Sequence, residues 1–339
     1  MCKTVQTLQS PIQMISHLSE QVITTYEKIS NIVHHTPVLS STEFNLATGS
    51  NVWLKCENFQ KVGAFKFRGA CNAVFSLTES KAAKGVATHS SGNHGQAIAK
   101  AANIKGIPAY IVMPKNAPKV KIEAVKGYGA NIIFCDSNQK AREDTLARVV
   151  DETGAYFIHP YDNKEVILGQ ATAAWELLHE HPHLDLILTP VGGGGLLSGS
   201  ILAIDAFKSN RKNTNCHVMG TEPEQANDAY RSVQTGILQS LSPEQINNPT
   251  IADGLRTNLG ELPFSIIKAF KTDIVCVSEE SIIHAMRYIW ERFNIIIEAS
   301  CAVPIAALLE KKITPKYANI GVIITGGNVD LDALPWNRH

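Results

Sequence analysis

The chain has 339 residues, sets 31 Lys and Arg against 31 Asp and Glu, and is 44% hydrophobic and 18% charged. Such a length holds about two domains with cores of their own, and such a composition excludes a disordered chain. Charge balance denies it the basic face that nucleic acids require, no run nears the roughly 18 apolar residues of a membrane span, and the start MCKTVQTLQSPIQM lacks a secretory signal's charged head and apolar core.

The first strand is predicted at Val52–Lys55, followed by Val86–His89 and Ala109–Met113. A helical pattern over Lys121–Lys126 leads to a strand at Asn131–Cys135, and one over Arg142–Glu152 to a strand at Tyr156–His159. Then come helix Glu165–His179, strand Leu184–Val191, helix Leu196–Lys208 and strand His217–Thr221. Ser232–Leu262 is rich in Gln, Asn, Ser and Pro, shows no clear period, and reads as an ordered excursion beside a site. Strand Asp273–Val277, helix Glu279–Phe293 and strand Gly321–Thr325 close the series. This alternation predicts an α/β fold of doubly wound parallel sheets with helices on both faces. The seven cysteines (Cys2, Cys56, Cys71, Cys135, Cys216, Cys276 and Cys301) are scattered without a C-x-x-C pair, as expected of reduced thiols in a cytoplasmic protein.

In such sheets ligands bind where strands end and helices begin. Three segments at such points carry chemistry. Gly63-Ala64-Phe65-Lys66-Phe67-Arg68-Gly69 places a lysine between aromatics and glycines, where desolvation lowers its pKa toward a usable nucleophile or base. The plain alternative is a lysine snorkelling from a helix face. Thr88-His89-Ser90-Ser91-Gly92-Asn93-His94-Gly95-Gln96 gathers hydroxyls, an amide and an imidazole at a helix start; it suits a carboxylate and a phenolic oxygen, or is simply a well-capped helix. In Thr189-Pro190-Val191-Gly192-Gly193-Gly194-Gly195-Leu196 four bare glycines before a helix expose N–H groups to an anion, most naturally a phosphate. The spacing fits neither a Walker loop nor G-x-G-x-x-G.

Together with His35-Thr36-Pro37-Val38, Lys55-Cys56-Glu57-Asn58-Phe59-Gln60, Gly169-Gln170 and Thr325-Gly326-Gly327-Asn328-Val329-Asp330, these segments resemble the tryptophan-synthase-like, fold type II family of pyridoxal-phosphate enzymes. Within it the chain resembles the serine racemase and serine/threonine dehydratase group, from about residue 20 to 330. The resemblance implies that Lys66 attaches the cofactor covalently. Gly192, Gly193, Gly194 and Gly195 would hold its phosphate, Asn93 its ring hydroxyl and Phe65 one side of its ring. The Thr325 hydroxyl would face the ring nitrogen and, unlike an acid, leave it unprotonated and the ring a weaker electron sink. Ser90, Ser91, Asn93 and His94 would hold the substrate carboxylate. Ser91 would serve the face opposite Lys66 as a proton donor, allowing inversion at Cα; alternatively it only caps a helix.

The resemblance further implies a divalent-cation site of Glu222, Asp228 and the Ala226 carbonyl, oxygen ligands suited to Mg²⁺, Mn²⁺ or Ca²⁺. His179-Glu180-His181-Pro182-His183 looks like a metal tract but sits in a polar connection, and is set aside. In Glu298-Ala299-Ser300-Cys301-Ala302-Val303-Pro304 the family's usual Pro- and Gly-containing stretch is replaced, with Pro304 expected at a helix's first position if it is helical at all. Tyr161 stands where racemases often carry Asn and dehydratases Phe. The expected architecture is a large domain of residues 1–78 and 163–339 with a small domain, 79–162, inserted, and a likeness to homodimers. With the sequence ending at His339, no threonine-deaminase regulatory domain is expected. A nucleotide effector is known from animal racemases, and nothing in the sequence supports one here.

Three activities compete: dehydration of serine or threonine with serine racemisation; ammonia loss from 3-hydroxyaspartate, with Arg142 as candidate partner of its second carboxylate; and a silent binding protein, against which Lys66 and the glycines speak.

Overall fold

The computed structural model describes residues 11–117, 119–211, 215–313 and 317–337. Cys2 and most of the N-terminal stretch lie outside the described residues. The strands are β1 Val38–Leu39, β2 Asn51–Cys56, β3 Val86–His89, β4 Ala109–Pro114, β5 Asn131–Cys135, β6 Tyr156–Phe157, β7 Leu186–Pro190, β8 His217–Pro223, β9 Ile274–Val277 and β10 Asn319–Ile324. The first seven helices are α1 Pro11–Ile29, α2 Thr42–Thr48, α3 Lys66–Phe75, α4 Glu79–Ala82, α5 Asn93–Lys105, α6 Lys119–Gly127 and α7 Gln139–Thr153. They are followed by α8 Lys164–Glu180, α9 Gly195–Asn210, α10 Asp228–Thr235, α11 Pro243–Asn247, α12 Glu261–Ala269, α13 Glu279–Phe293 and α14 Ala299–Leu309.

Two sheets result. One runs β1-β2-β10-β7-β8-β9 and the other β5-β4-β3-β6. All pairs are parallel except β1 with β2, and β1 is the strand that was not expected. Residues 40–50 are too few for the dozen or more that a parallel crossover needs. The second sheet draws only on residues 86–157, inside the segment 79–162. β6 stops at Phe157 instead of His159 because the His159 ring turns the chain: its Nδ1 accepts the Asp162 N–H at 2.9 Å. Pro304 lies inside α14, not at its first position, and removes one N–H from that helix's ladder.

Helices α8 and α9 carry the deepest packing of the larger sheet, burying Ile167, Leu168, Leu177, Leu197, Leu202 and Phe207. Helix α3 is tied to α8 by charge as well as by shape. Arg68, fully buried, meets Glu57 through Nε (2.7 Å) and Nη2 (2.8 Å), and Glu176 through Nη1 (2.8 Å) and Nη2 (2.7 Å). Lys55 joins Glu176 and Glu180, both at 2.9 Å, and donates to Thr36 O at 2.7 Å. Removing one partner from such a buried network costs about 3–5 kcal/mol. A Cβ on Gly69 would fall 2.2 Å from Gln170 Nε2, so these two helices touch because neither can carry more bulk there. The consequence is functional: Lys66, the first residue of α3, is held by everything that fixes Arg68.

Candidate active site

A cavity of about 1050 Å³ opens between the two sheets. Phe65, Lys66, Ser90, Ser91, Asn93, His94, Gly192, Gly193, Gly194, Gly195 and Thr325 all line it, so residues spread over 260 positions of chain converge there. Each sits where a strand ends or a helix begins. Lys66 begins α3, Ser90 to His94 connect β3 to α5, the glycines connect β7 to α9, and Thr325 follows β10.

Lys66 Nζ donates to Pro160 O at 3.1 Å and lies 5.1 Å from the centre of the Phe65 ring. Burial lowers its ammonium from 10.5 to about 8, and the Glu298 carboxylate opposes part of that fall. Phe65 N–H bonds Thr325 O at 2.9 Å, and Ala64 bridges Gly326, which clamps the lysine's approach to the end of β10.

The glycine loop fits a phosphate. Gly194 adopts φ +84°, a left-handed turn that favours glycine, and α9 starts at Gly195 with its positive end toward the cavity. A Cβ on Gly193 would lie 2.2 Å from Tyr161 Cγ, so the Tyr161 ring walls the cradle and excludes any side chain there. Tyr161 is fixed in turn by its hydroxyl, 2.8 Å from Thr257 Oγ1. The 232–262 excursion thus reaches the cavity through Asp253, Gly254, Leu255, Arg256 and Thr257.

At the start of α5, Ser90 Oγ accepts the Gly92 N–H at 3.2 Å. Buried His94 is held neutral, first by burial and then by Lys66, and its Nδ1 has no partner among the described residues. Asn93 Nδ2 donates to both Glu298 oxygens, at 3.0 and 3.1 Å. The Thr325 hydroxyl is 3.1 Å from Cys301 Sγ. Burial raises that thiol, so it stays protonated.

Several cavity residues went unassigned in the sequence: Glu298, Ser300, Lys121 and Asp253. Glu298 had a signal, a lone acid in the apolar run Ile295-Ile296-Ile297. Lys121 and Asp253 had none; their ion pair, 2.7 Å, spans 132 positions of sequence. Arg142 also lines the cavity, and its Nε is buried without a partner among the described residues.

The candidate cation residues lie elsewhere, Glu222 near the end of β8 and Ala226 and Asp228 just after it. Glu222 accepts the N–H groups of Ala229 (3.2 Å) and Tyr230 (2.7 Å), and Asp228 Oδ2 that of Leu259 (2.7 Å). Asp228 Oδ1 is buried and without a partner among the described residues. Burial raises Asp228 to about 6, and burial with the Asp228 charge raises Glu222 well above the usual range. Two buried acids and an orphaned oxygen fit a cation. No group of three His, Cys, Asp or Glu side chains suited to a metal occurs among the described residues, so a third ligand must be main chain or water. The set-aside histidines part company: His179 packs on Trp175 and His181 on Trp53.

The sequence matches the family model described as "Pyridoxal-phosphate dependent enzyme" over residues 29–326. It is 44% identical to the serine racemase of Dictyostelium discoideum, over 91% of this chain and 94% of that protein. It is 43% identical to the beta-hydroxyaspartate dehydratase of Paracoccus denitrificans, over 94% and 98%. The crystal structure of the Dictyostelium discoideum serine racemase superposes with a TM-score of 0.86 at 43% identity, covering 92% of this chain and 99% of that one.

Proposed function

This chain belongs to the family of pyridoxal-phosphate-dependent enzymes, with the fold type II architecture, and from that premise we propose that it dehydrates serine and threonine and interconverts L- and D-serine. The single observation that carries this reading is the meeting of Lys66, Ser91, the α5 start and the glycine loop around one cavity. The cofactor, when bound, supplies an electron sink that lets Cα of an amino acid give up its proton. Lys66 is the amine that attaches it and moves the α-proton on one face. Gly192 to Gly195 receive its phosphate, Asn93 its ring hydroxyl, Phe65 its ring and Thr325 its ring nitrogen. The N–H groups at the start of α5, with Ser90 and His94, hold the substrate carboxylate. Ser91 moves a proton on the other face.

Glu222, Asp228 and the Ala226 carbonyl hold a divalent cation, Mg²⁺ by preference, and the orphaned Asp228 Oδ1 supports this. Residues 1–78 with 163–339, and 79–162, form two lobes flanking the cavity, and the protein works as a cytoplasmic homodimer. Among the described residues six cysteines are free and none is in a disulfide, which supports a reducing compartment.

A second reading is equally supported by the relatives: loss of ammonia from 3-hydroxyaspartate. The unpartnered Arg142 Nε beside the cavity favours it, because a second carboxylate would satisfy a buried donor. A panel of L-serine, D-serine, L-threonine and the 3-hydroxyaspartate isomers, scored for oxo acid and enantiomer, decides between them. Turnover confined to 3-hydroxyaspartate, and lost in Arg142→Ala, would replace the first reading by the second; no turnover of any member would refute both.

A further inference from the structure

Of the charged cavity side chains without a task in the chemistry above, Glu298 touches a residue that has one. Glu298 is 6% exposed, lines the cavity and receives Asn93 Nδ2 on both oxygens. The other end of that amide is taken too: Asn93 Oδ1 accepts from Asn328 Nδ2 at 2.9 Å, while the same Asn328 nitrogen donates to Val62 O at 2.8 Å. The two ends of a primary amide are nearly the same shape, and only their partners decide which end faces where. Asn328 presents a donor to one end, and Glu298, when ionised, presents only acceptors to the other. Turned over, the Asn93 amide would set donor against donor and acceptor against acceptor. The two oxygens of one carboxylate, 3.0 and 3.1 Å from Nδ2, subtend a narrow angle there and share one of its hydrogens, which leaves the second for a ligand.

We infer that Glu298 is a positioning residue, which holds Asn93 so that it offers the cofactor's ring oxygen an N–H rather than a carbonyl. The inference rests on the reading of Asn93 as partner of the ring hydroxyl. Glu298 is an acceptor on both oxygens where it is ionised, above about pH 7. Lys66 on α3 and Lys121 on α6 attract its charge, and the Asn93 amide and the Asn328 backbone N–H bond it. Burial and then Asp253 oppose them, leaving the carboxyl at about 7, and the Cys301 thiol of α14 stays neutral beside it. Oxygens that already receive Asn93 in this way are poorly placed to serve the substrate, so Glu298 acts through Asn93.

The test titrates cofactor-stripped, full-length protein with pyridoxal phosphate and reads the dissociation constant by tryptophan fluorescence and the position of the visible band. Asn93→Ala weakens binding roughly 10- to 100-fold, the worth of a hydrogen bond to an ionised oxygen. Glu298→Gln, whose amide offers a donor as well as an acceptor and so tolerates the turned-over Asn93, weakens binding roughly 3- to 30-fold and shifts the band, yet adds nothing in the Asn93→Ala background. Asn328→Ala frees the other end of the amide, shows the same dependence on Asn93, and carries the test if Glu298→Gln does not fold. An unchanged constant and band in Glu298→Gln, or an equal loss with and without Asn93, overturns the positioning role and leaves the Asn93 reading intact. An unchanged constant and band in Asn93→Ala overturns the Asn93 reading, and the inference with it.

Discussion

The Lys66 amine of cofactor-free protein should be far more reactive at neutral pH than an ordinary lysine. Its pKa falls from 10.5 to about 8, chiefly by burial. The difference, 10.5 − 8 = 2.5 decades, makes the neutral amine about 300-fold more abundant at pH 7 than on an exposed lysine. Competitive acylation at limiting reagent, followed by mass spectrometry of the Lys66 peptide, measures it directly. Labelling of Lys66 should rise about tenfold per pH unit and level off near 8. Glu298→Gln removes the one charge that props the ammonium up, so the midpoint moves lower still. The sign carries over to stability. Between about 8 and 10.5 the unfolded chain binds the proton and the folded chain does not, so Lys66 makes cofactor-free protein more stable as pH rises through that window. A Lys66 labelling curve that keeps rising past pH 10 would refute the reasoning.

Ser91→Ala should suppress L- to D-serine conversion by roughly 10²- to 10⁴-fold while pyruvate formation from L-serine survives much better, measured from each enantiomer with cofactor occupancy checked. Equal losses in both reactions would make Ser91 a binding residue only. Gly193→Ala drives a methyl into the Tyr161 ring, 2.2 Å away, and should cost about 1–3 kcal/mol by thermal unfolding; the loss should shrink in a Tyr161→Ala background. Chelation should lower the melting temperature and Mg²⁺ restore it, a response that Asp228→Asn abolishes. A wild-type melting curve indifferent to chelator excludes the Glu222/Asp228 site.

Much of the site is legible because its parts are local. The glycine loop, the Lys66 segment and Ser90 to Gln96 each combine a strand end and a helix start within about ten residues, and all three meet at one cavity. The strands β2 to β10 were legible as apolar runs, and only their ends moved, as where His159 folds the chain back after Phe157. What stayed hidden depends on distance in sequence. Nothing near Lys121 announces Asp253, and nothing near Asn93 announces Glu298, 205 positions away. The antiparallel β1 escaped because two residues carry no period. Lys55, Glu57, Arg68 and Glu176 read as separate polar residues, whereas in the fold they form one buried network behind Lys66.

The claim that the site is organised around Lys66 is tested most directly by trapping the cofactor where it attaches. Borohydride reduction of the loaded protein, digestion and mass spectrometry should find the pyridoxyl group on the peptide containing Lys66, and on no peptide of Lys66→Ala, which should also lose the visible band and all turnover. A pyridoxyl group on another lysine, with Lys66→Ala still active, would contradict the account.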